Sequence, residues 1–255
     1  MPLGEMVQIL YNNAVAKGVE VKFGYKVKGI EQDDREAWVD VDVIENGQVR
    51  GQERLKADYI VGCDGASSVV RKALFGRDWP GLTLPYRFMV QNVFYDGFEE
   101  HGWSGGNYIV DNDHWGLIAK RGKAGLWRVT YGDKQADLSD EDILKRRPPT
   151  PEQYRVEQTN MYSVHNRCAQ SFRVKRIFLA GDAAHVCNPM GGYGCMSAIL
   201  DVDGLSTCLS GYYHNKADES ILDKYAEIRR DIFLRFVDDR STEIREERLE
   251  ALGQH

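Results

Sequence analysis

Residues Arg176-Ile-Phe-Leu-Ala-Gly-Asp-Ala-Ala-His185 run directly into Val186-Cys-Asn-Pro-Met-Gly-Gly-Tyr-Gly-Cys195, and a helical run follows from Met196 to about Ser210. The order is a buried strand ending on a carboxylate, a Pro/Gly loop with few side chains to obstruct it, and a helix. Backbone N–H groups at a helix start are unpaired and carry partial positive charge, so an anionic or electron-rich ligand is favoured there. Glycines let such a ligand come close to the main chain.

Outward from that stretch, composition sets the bounds. The 255 residues are 42% apolar and 28% charged, a globular balance with room for a substantial core and no internal repeat. A formal charge of −6 argues against nucleic acid and anionic membrane as partners and favours a small molecule. Cysteines 63, 168, 187, 195 and 208 show neither CxxC nor Cys/His ligand spacing, so no disulfide framework and no metal site is expected. No apolar run reaches membrane-spanning length, and a cytoplasmic protein is expected.

From the N-terminus, Leu3, Met6, Val7, Leu10 and Ala14 recur at helical spacing and Gly18 stands at the C′ position, predicting a helix over 3–17. Val19–Phe23 and Tyr25–Ile30 read as short strands. Val39, Val41 and Val43 alternate with Asp40 and Asp42, and Asn46-Gly47 turns the chain into a return strand near 48–55. Asp58-Tyr-Ile-Val-Gly-Cys-Asp-Gly-Ala-Ser-Ser-Val-Val-Arg71 reads as a buried strand ending at Asp64-Gly65, with Ser67 or Ser68 capping a helix. Residues 78–162 are aromatic-rich strands with glycine turns, the clearest hairpin joining 114–120 to 126–131. Polar residues 137–151 suggest a short helix stopped by Pro148-Pro149. Ile221, Leu222, Tyr225, Ile228, Ile232 and Phe236 predict a covering helix.

Two motifs in this order resemble the single-component FAD-dependent aromatic hydroxylases of the para-hydroxybenzoate hydroxylase and phenol hydroxylase type. Asp58–Arg71 resembles that family's Asp-Gly motif, and 176–194 its Gly-Asp motif with the Pro-x-Gly-Gly-x-Gly loop. The resemblance implies an α/β fold with α+β character: a truncated FAD-binding Rossmann-like domain with an inserted antiparallel β-sheet substrate domain. The implied segments are 1–77 and 165–255 for the FAD-binding part and 78–164 for the substrate sheet. Asp182 would hydrogen-bond a ribityl hydroxyl, and Pro189, Gly191, Gly192 and Gly194 would wrap the isoalloxazine edge. Met196 stands where many members have Asn. Asp64 and Gly65 would approach the diphosphate, with Arg71 anchoring the helix behind them. The implied cofactors are FAD and NAD(P)H as transient reductant, and the implied partner is a small aromatic or polyketide-like substrate.

The family's GxGxxG unit has no counterpart here, so the diphosphate cradle and the central strand of the sheet are expected to be missing. A bare sheet edge cannot stay unpaired in water, so a homodimer or a partner chain is expected to cover it. The same gap leaves two other readings open: a non-redox cyclase or isomerase that no longer binds FAD, and a non-catalytic homologue acting as an association partner. No catalytic residue is assigned. His185 is read as part of the loop. Tyr108, Trp115, Trp127, Arg128 and Tyr131 fall on the substrate sheet, where aromatic residues serve either core or ligand; Tyr108, Trp115 and Arg128 are the candidate substrate contacts. Arg128 lies between apolar Trp127 and Val129, so it faces either solvent or a buried anion.

Overall fold

A computed structural model describes residues 3–109, 116–122, 125–133 and 154–253. In chain order the elements are α1 (Leu3–Ala16), β1 (Tyr25–Gln32), β2 (Ala37–Glu45), β3 (Gln48–Ala57), β4 (Ile60–Gly62), α2 (Val69–Phe75), β5 (Gly81–Phe94), α3 (Gly97–Glu100) and β6 (Gly106–Ile109). There follow β7 (Gly116–Lys120), β8 (Leu126–Asp133), β9 (Arg155–Cys168), β10 (Arg173–Val174), β11 (Ile177–Leu179), β12 (His185–Val186), α4 (Tyr193–Tyr213), α5 (Ser220–Ile232) and α6 (Asp239–Gly253). Short 3-10 turns occupy Gly181–Ala183 and Pro189–Gly191, and a π-helical segment, Phe233–Asp238, joins α5 to α6. The proposed helix over 137–151 lies outside the described residues.

The chain divides into two compact units. One, residues 22–83 with 165–246, holds the motifs. Its β1–β2–β3 sheet is a meander of antiparallel strands, turned at Asn46-Gly47, where both residues have positive φ as a tight hairpin requires. Its second sheet has the order β10–β11–β4, and here β11 runs parallel to β4, with Ile177 opposite Ile60 and Leu179 opposite Gly62. Parallel strands are buried on both faces, which explains why Ile177, Phe178 and Leu179 are at most 1% exposed. They join Phe172, Leu205, Leu222, Tyr225 and Phe233 in a single core. The Tyr225 hydroxyl donates to the Leu179 carbonyl at 2.7 Å, satisfying a polar group that would otherwise be stranded.

Helix α2 lies close against β4 because residue 62 is glycine: a Cβ there would meet the Val70 side chain at 2.8 Å. Ser68, not Ser67, is the N-cap, its hydroxyl accepting from the Arg71 N–H at 2.9 Å. The strand before it ends at Gly62, two residues earlier than the Asp64 that the sequence suggested. Val19–Phe23 is not a strand. Val19, Val21 and Phe23 are exposed, so no half-buried sheet surface draws on their β propensity.

The other unit comprises residues 3–21, 84–164 and 247–253 among those described. Its strands follow the order β9–β5–β8–β7–β6, with β5/β8, β7/β8 and β6/β7 antiparallel. Trp127 is fully buried with Val93 and Ile118, and the Phe98 ring packs 5.1 Å from it, so this tryptophan is core and not a ligand contact.

Replacing Phe178 by Ala at the centre of the first core is expected to lower the unfolding free energy by about 3–5 kcal/mol, read from urea denaturation. A loss below about 1 kcal/mol would show that this side chain is not core.

Candidate functional site

The polypeptide leaves β11 at Leu179 and enters the Gly181–Ala183 turn, where Gly181 takes φ +59. Asp182 is carried outward on this turn; it is exposed, and among the described residues its carboxylate makes no hydrogen bond or ion pair. The residues on either side point inward: Ala183 and Ala184 are fully buried and His185 is 2% exposed. Small side chains thus seat the turn, and the carboxylate is left for an external partner.

What holds this turn is Asp201, on the buried face of α4 with Ser197 and Leu205 and itself 0% exposed. One carboxylate oxygen accepts from the Gly181 N–H at 2.9 Å and meets His185 Nε2 at 2.7 Å. The other accepts from Arg229 Nε on α5 at 2.8 Å. Burial opposes the charge on Asp201, but its partners, His185 first and then Arg229 and the Gly181 amide, keep its pKa below the ordinary carboxylate value. The His185 ring is sandwiched between Phe172 and Phe233, with centroids 5.6 and 4.3 Å away. It is therefore a wedge inside the protein, consistent with its reading as a part of the loop.

Further along, Asn188 is fully buried and ties the Pro189–Gly191 turn to two other elements. Its N–H donates to Asn166 Oδ1 at 2.9 Å, its side-chain amide to Ser241 at 3.1 Å, and its own oxygen accepts from the Met190 N–H. Asn166 donates in turn to Asp238 at 2.6 Å. The π-helical segment thus directs both Phe233 and Asp238 at this loop. Pro189 is exposed and Gly191 half-buried. Gly192, at φ +70, both ends the turn and starts α4 with no side-chain cap. A Cβ on Gly192 or Gly194 would meet no atom within 4 Å. Met196, in the first turn of α4, is 57% exposed, as are Ile199 and Leu200 to about the same degree.

The Asp-Gly motif sits in the same unit. Asp64 Oδ1 accepts from the Ser68 hydroxyl at 2.5 Å and Oδ2 from the N–H groups of Val69 and Val70 at 2.6 and 3.2 Å. The carboxylate caps α2 and shapes the turn; Gly65, at φ +78, leaves open space beside its backbone. Arg71 is 3% exposed and stitches the two motifs together, donating to the carbonyls of Ala66 at 2.6 Å and Ala183 at 2.9 Å, its guanidinium 3.5 Å from the centre of the Trp79 ring. Burial lowers its pKa.

Of the sheet candidates, Tyr108 on β6 is 57% exposed, Arg128 on β8 is half-buried and donates to Asn92 Oδ1 at 3.2 Å, and Trp115 lies outside the described residues. No group of metal-ligating side chains occurs among the described residues. The four residues that sequence reasoning missed are Asp201, Arg229, Asn166 and Asn188. The available signal was a carboxylate at helical spacing between Ser197 and Leu205, on the face of α4 that turns inward.

A strand followed by an exposed carboxylate, an open glycine turn and an uncapped helix, bonded through Arg71 to an Asp-Gly turn, make an α/β site open to an external ligand. The chain belongs to the FAD binding domain family, whose model matches residues 1–240. It is 41% identical over 234 residues to para-nitrophenol 4-monooxygenase of Pseudomonas sp. strain WBC-3, covering 88% of this chain and 56% of that protein. It is 30% identical over 231 residues to 6-hydroxy-3-succinoylpyridine 3-monooxygenase HspB of Pseudomonas putida, covering 88% and 57%. The crystal structure of p-nitrophenol 4-monooxygenase PnpA from Pseudomonas putida DLL-E4 superposes with a TM-score of 0.84 at 36% identity, covering 94% of this chain and 62% of that one. The chain spans a little over half the length of these curated relatives. No described helix is long and apolar enough to cross a membrane.

Replacing Asp201 by Ala strands the Arg229 guanidinium and the Gly181 N–H, and is expected to cost about 3–5 kcal/mol in urea unfolding. Because the folded pKa of Asp201 is depressed, its contribution is complete above the unfolded value of about 3.9 and is lost as pH falls through the folded one. The stability difference between wild type and Asp201→Asn should therefore shrink on acidification below about pH 4; a gap independent of pH would show that the charge of Asp201 contributes nothing.

Proposed function

We propose that the chain provides the isoalloxazine and ribityl side of an FAD site in a flavin-dependent monooxygenase, hydroxylating an aromatic or polyketide-like small molecule with NAD(P)H and O2 in the cytoplasm. The observation that carries this reading is the Gly181–Gly194 loop, where an outward carboxylate, open glycines and an uncapped helix start stand in the order the family uses. The residues present fit that half of the cofactor. The space outside Gly192 and Gly194 leaves room for a flat ring, and Asp182, with no hydrogen-bond or ion-pair partner among the described residues, would accept from a ribityl hydroxyl. The first N–H groups of α4 stabilise negative charge on the ring edge. At the other motif, Asp64 holds the turn so that the backbone at Gly65 can approach the diphosphate, and Arg71 keeps the two turns in register.

FAD, when bound, supplies the redox chemistry: NAD(P)H gives a hydride, one oxygen atom of O2 replaces a ring hydrogen as hydroxyl, and the other leaves as water after taking up a proton. This chain's part is to position the ring, exclude water from it and present the substrate, for which Tyr108 and Arg128 are the described candidates. The names of the similar monooxygenases support the reaction class.

A second element of the proposal concerns partners. β4 is the outer strand of its sheet among the described residues, its Val61 is 38% exposed, and α4 displays Met196, Ile199 and Leu200. Such apolar surface at a strand edge supports coverage by a second chain, a homodimer being the simplest case.

The purified protein is expected to be yellow, or to become so on FAD titration, with NAD(P)H oxidation stimulated by an aromatic substrate. Asp182→Ala and Gly194→Trp should each weaken FAD binding about tenfold or more, with circular dichroism unchanged. A colourless wild type that FAD cannot saturate would sink the proposal. Light scattering should give a mass above that of one chain; a clean monomer would remove the partner element alone.

A further inference from the structure

The turn at Pro189–Gly191 is held by a relay of side-chain amides whose direction is fixed at both ends. At the near end the Met190 N–H donates to Asn188 Oδ1 at 3.2 Å, and the Asn188 N–H donates to Asn166 Oδ1 at 2.9 Å. Backbone N–H groups can only donate, so each amide must turn its oxygen toward the backbone. At the far end Asn166 Nδ2 donates to Asp238 Oδ1 at 2.6 Å and to Thr242 Oγ1 at 3.2 Å. An ionised carboxylate can only accept, so it draws the Asn166 NH2 and leaves the oxygen for Asn188. The Asn188 NH2 completes the set, donating to Ser241 Oγ at 3.1 Å and to Asn166 Oδ1 at 3.3 Å. Asn166, Asn188 and Ser241 are at most 5% exposed, so water has little access to replace a partner that turns away. Burial pushes the Asp238 carboxyl above its ordinary pKa against the pull of the Asn166 donor; Asp239 adds to the rise and Arg245 opposes it. Charge at this position therefore does not stabilise the fold. What it supplies is direction.

We propose that Asp238 is a positioning residue of the ligand loop: its carboxylate fixes the direction of the Asn166–Asn188 relay and thereby holds the Pro189–Gly191 turn in the shape that meets the flavin. The inference rests on the monooxygenase reading only in naming flavin as the ligand. Reversal of one amide is what the carboxylate prevents. With Asn166 turned over, its NH2 would face the Asn188 N–H, donor against donor, and both bonds from Asn188 to Asn166 would be lost. The turn is also closed by the Gly192 N–H, which donates to Pro189 O at 3.1 Å, and Gly192 starts α4. A shift of the turn thus carries to the first N–H groups of that helix. The segment that delivers Asp238 is the π-helical Phe233–Asp238, a local widening of the kind frequent at functional positions.

The test is native-state hydrogen exchange of the Asn188 and Met190 amides in the full chain at about pH 8, a measurement that needs no flavin. Asn166→Asp keeps an acceptor for Asn188 but sets carboxylate against carboxylate, and should speed exchange about tenfold or more. Adding Asp238→Asn restores a donor facing an acceptor in the opposite order, so the double variant should return to within about threefold of the wild-type rate. Asp238→Asn alone loses only the enforced direction and should speed exchange about two- to fivefold. Its thermal stability should be kept or raised, because burial disfavours the charge it removes, and it carries the test if Asn166→Asp fails to fold. FAD affinity, read by titration, should follow the same order, weakest in Asn166→Asp and recovered in the double variant. Unchanged exchange in Asp238→Asn, or a double variant as fast as Asn166→Asp, would overturn the inference. So would exchange that follows the expected order while FAD affinity stays constant. A wild type that binds no FAD removes the monooxygenase reading alone, and the exchange pattern still decides the relay.

Discussion

A carboxylate with no exposed surface, Asp201, is bonded at once to a backbone amide, an imidazole and a guanidinium, and the geometry of the Gly181–His185 turn depends on it. A buried charge is tolerated only when it is fully paired, and breaking one partner leaves the rest uncompensated. The network is therefore stiff. It ties the end of β11 to α4 and α5, and Asp182, one residue past Gly181, inherits that rigidity while facing outward. A site that must present a single carboxylate in a fixed place gains from being supported in this way.

The second tether, from Asn188 through Asn166 to Asp238, holds the far side of the same loop. Its members come from β9, the Pro189 turn and the π-helical segment. That segment has a physical role: its wider turn sets Phe233 against His185 and leaves Asp238 within reach of Asn166. The glycines between the two tethers are left with open space on one side. Rigid ends and an open middle are what a flat ligand requires.

The strand-rich unit follows a different rule. One layer of its side chains is ordinary core, with Trp127 at its centre, so the register that buries Trp127 and packs the half-buried Val129 against the same core necessarily turns Arg128 to the opposite face, where Asn92 and Arg121 meet it. Alternation along the strand thus separates the buried aromatic residue from the half-buried charged one.

Periodicity and motif order made the main elements readable from the chain alone. The spacing of Leu3, Met6, Val7 and Leu10, the Asn46-Gly47 turn, the apolar run at Ile177–Leu179 and the glycines before Tyr193 are local signals, because each reflects the short-range geometry of helix, hairpin, buried strand or loop. The family and the loop that carries Asp182 were legible for the same reason. Partners distant in sequence were not. That Arg71 reaches Ala183 across 112 positions, that Asp201 grips Gly181 and Arg229, and that Arg121 and Arg128 share the oxygen of Asn92 depend on which faces meet once the strands have paired. Val19–Phe23 fails as a strand on the same ground: strand propensity reflects the fit of side chains to a half-buried pleated surface, and whether that surface exists is decided by tertiary structure.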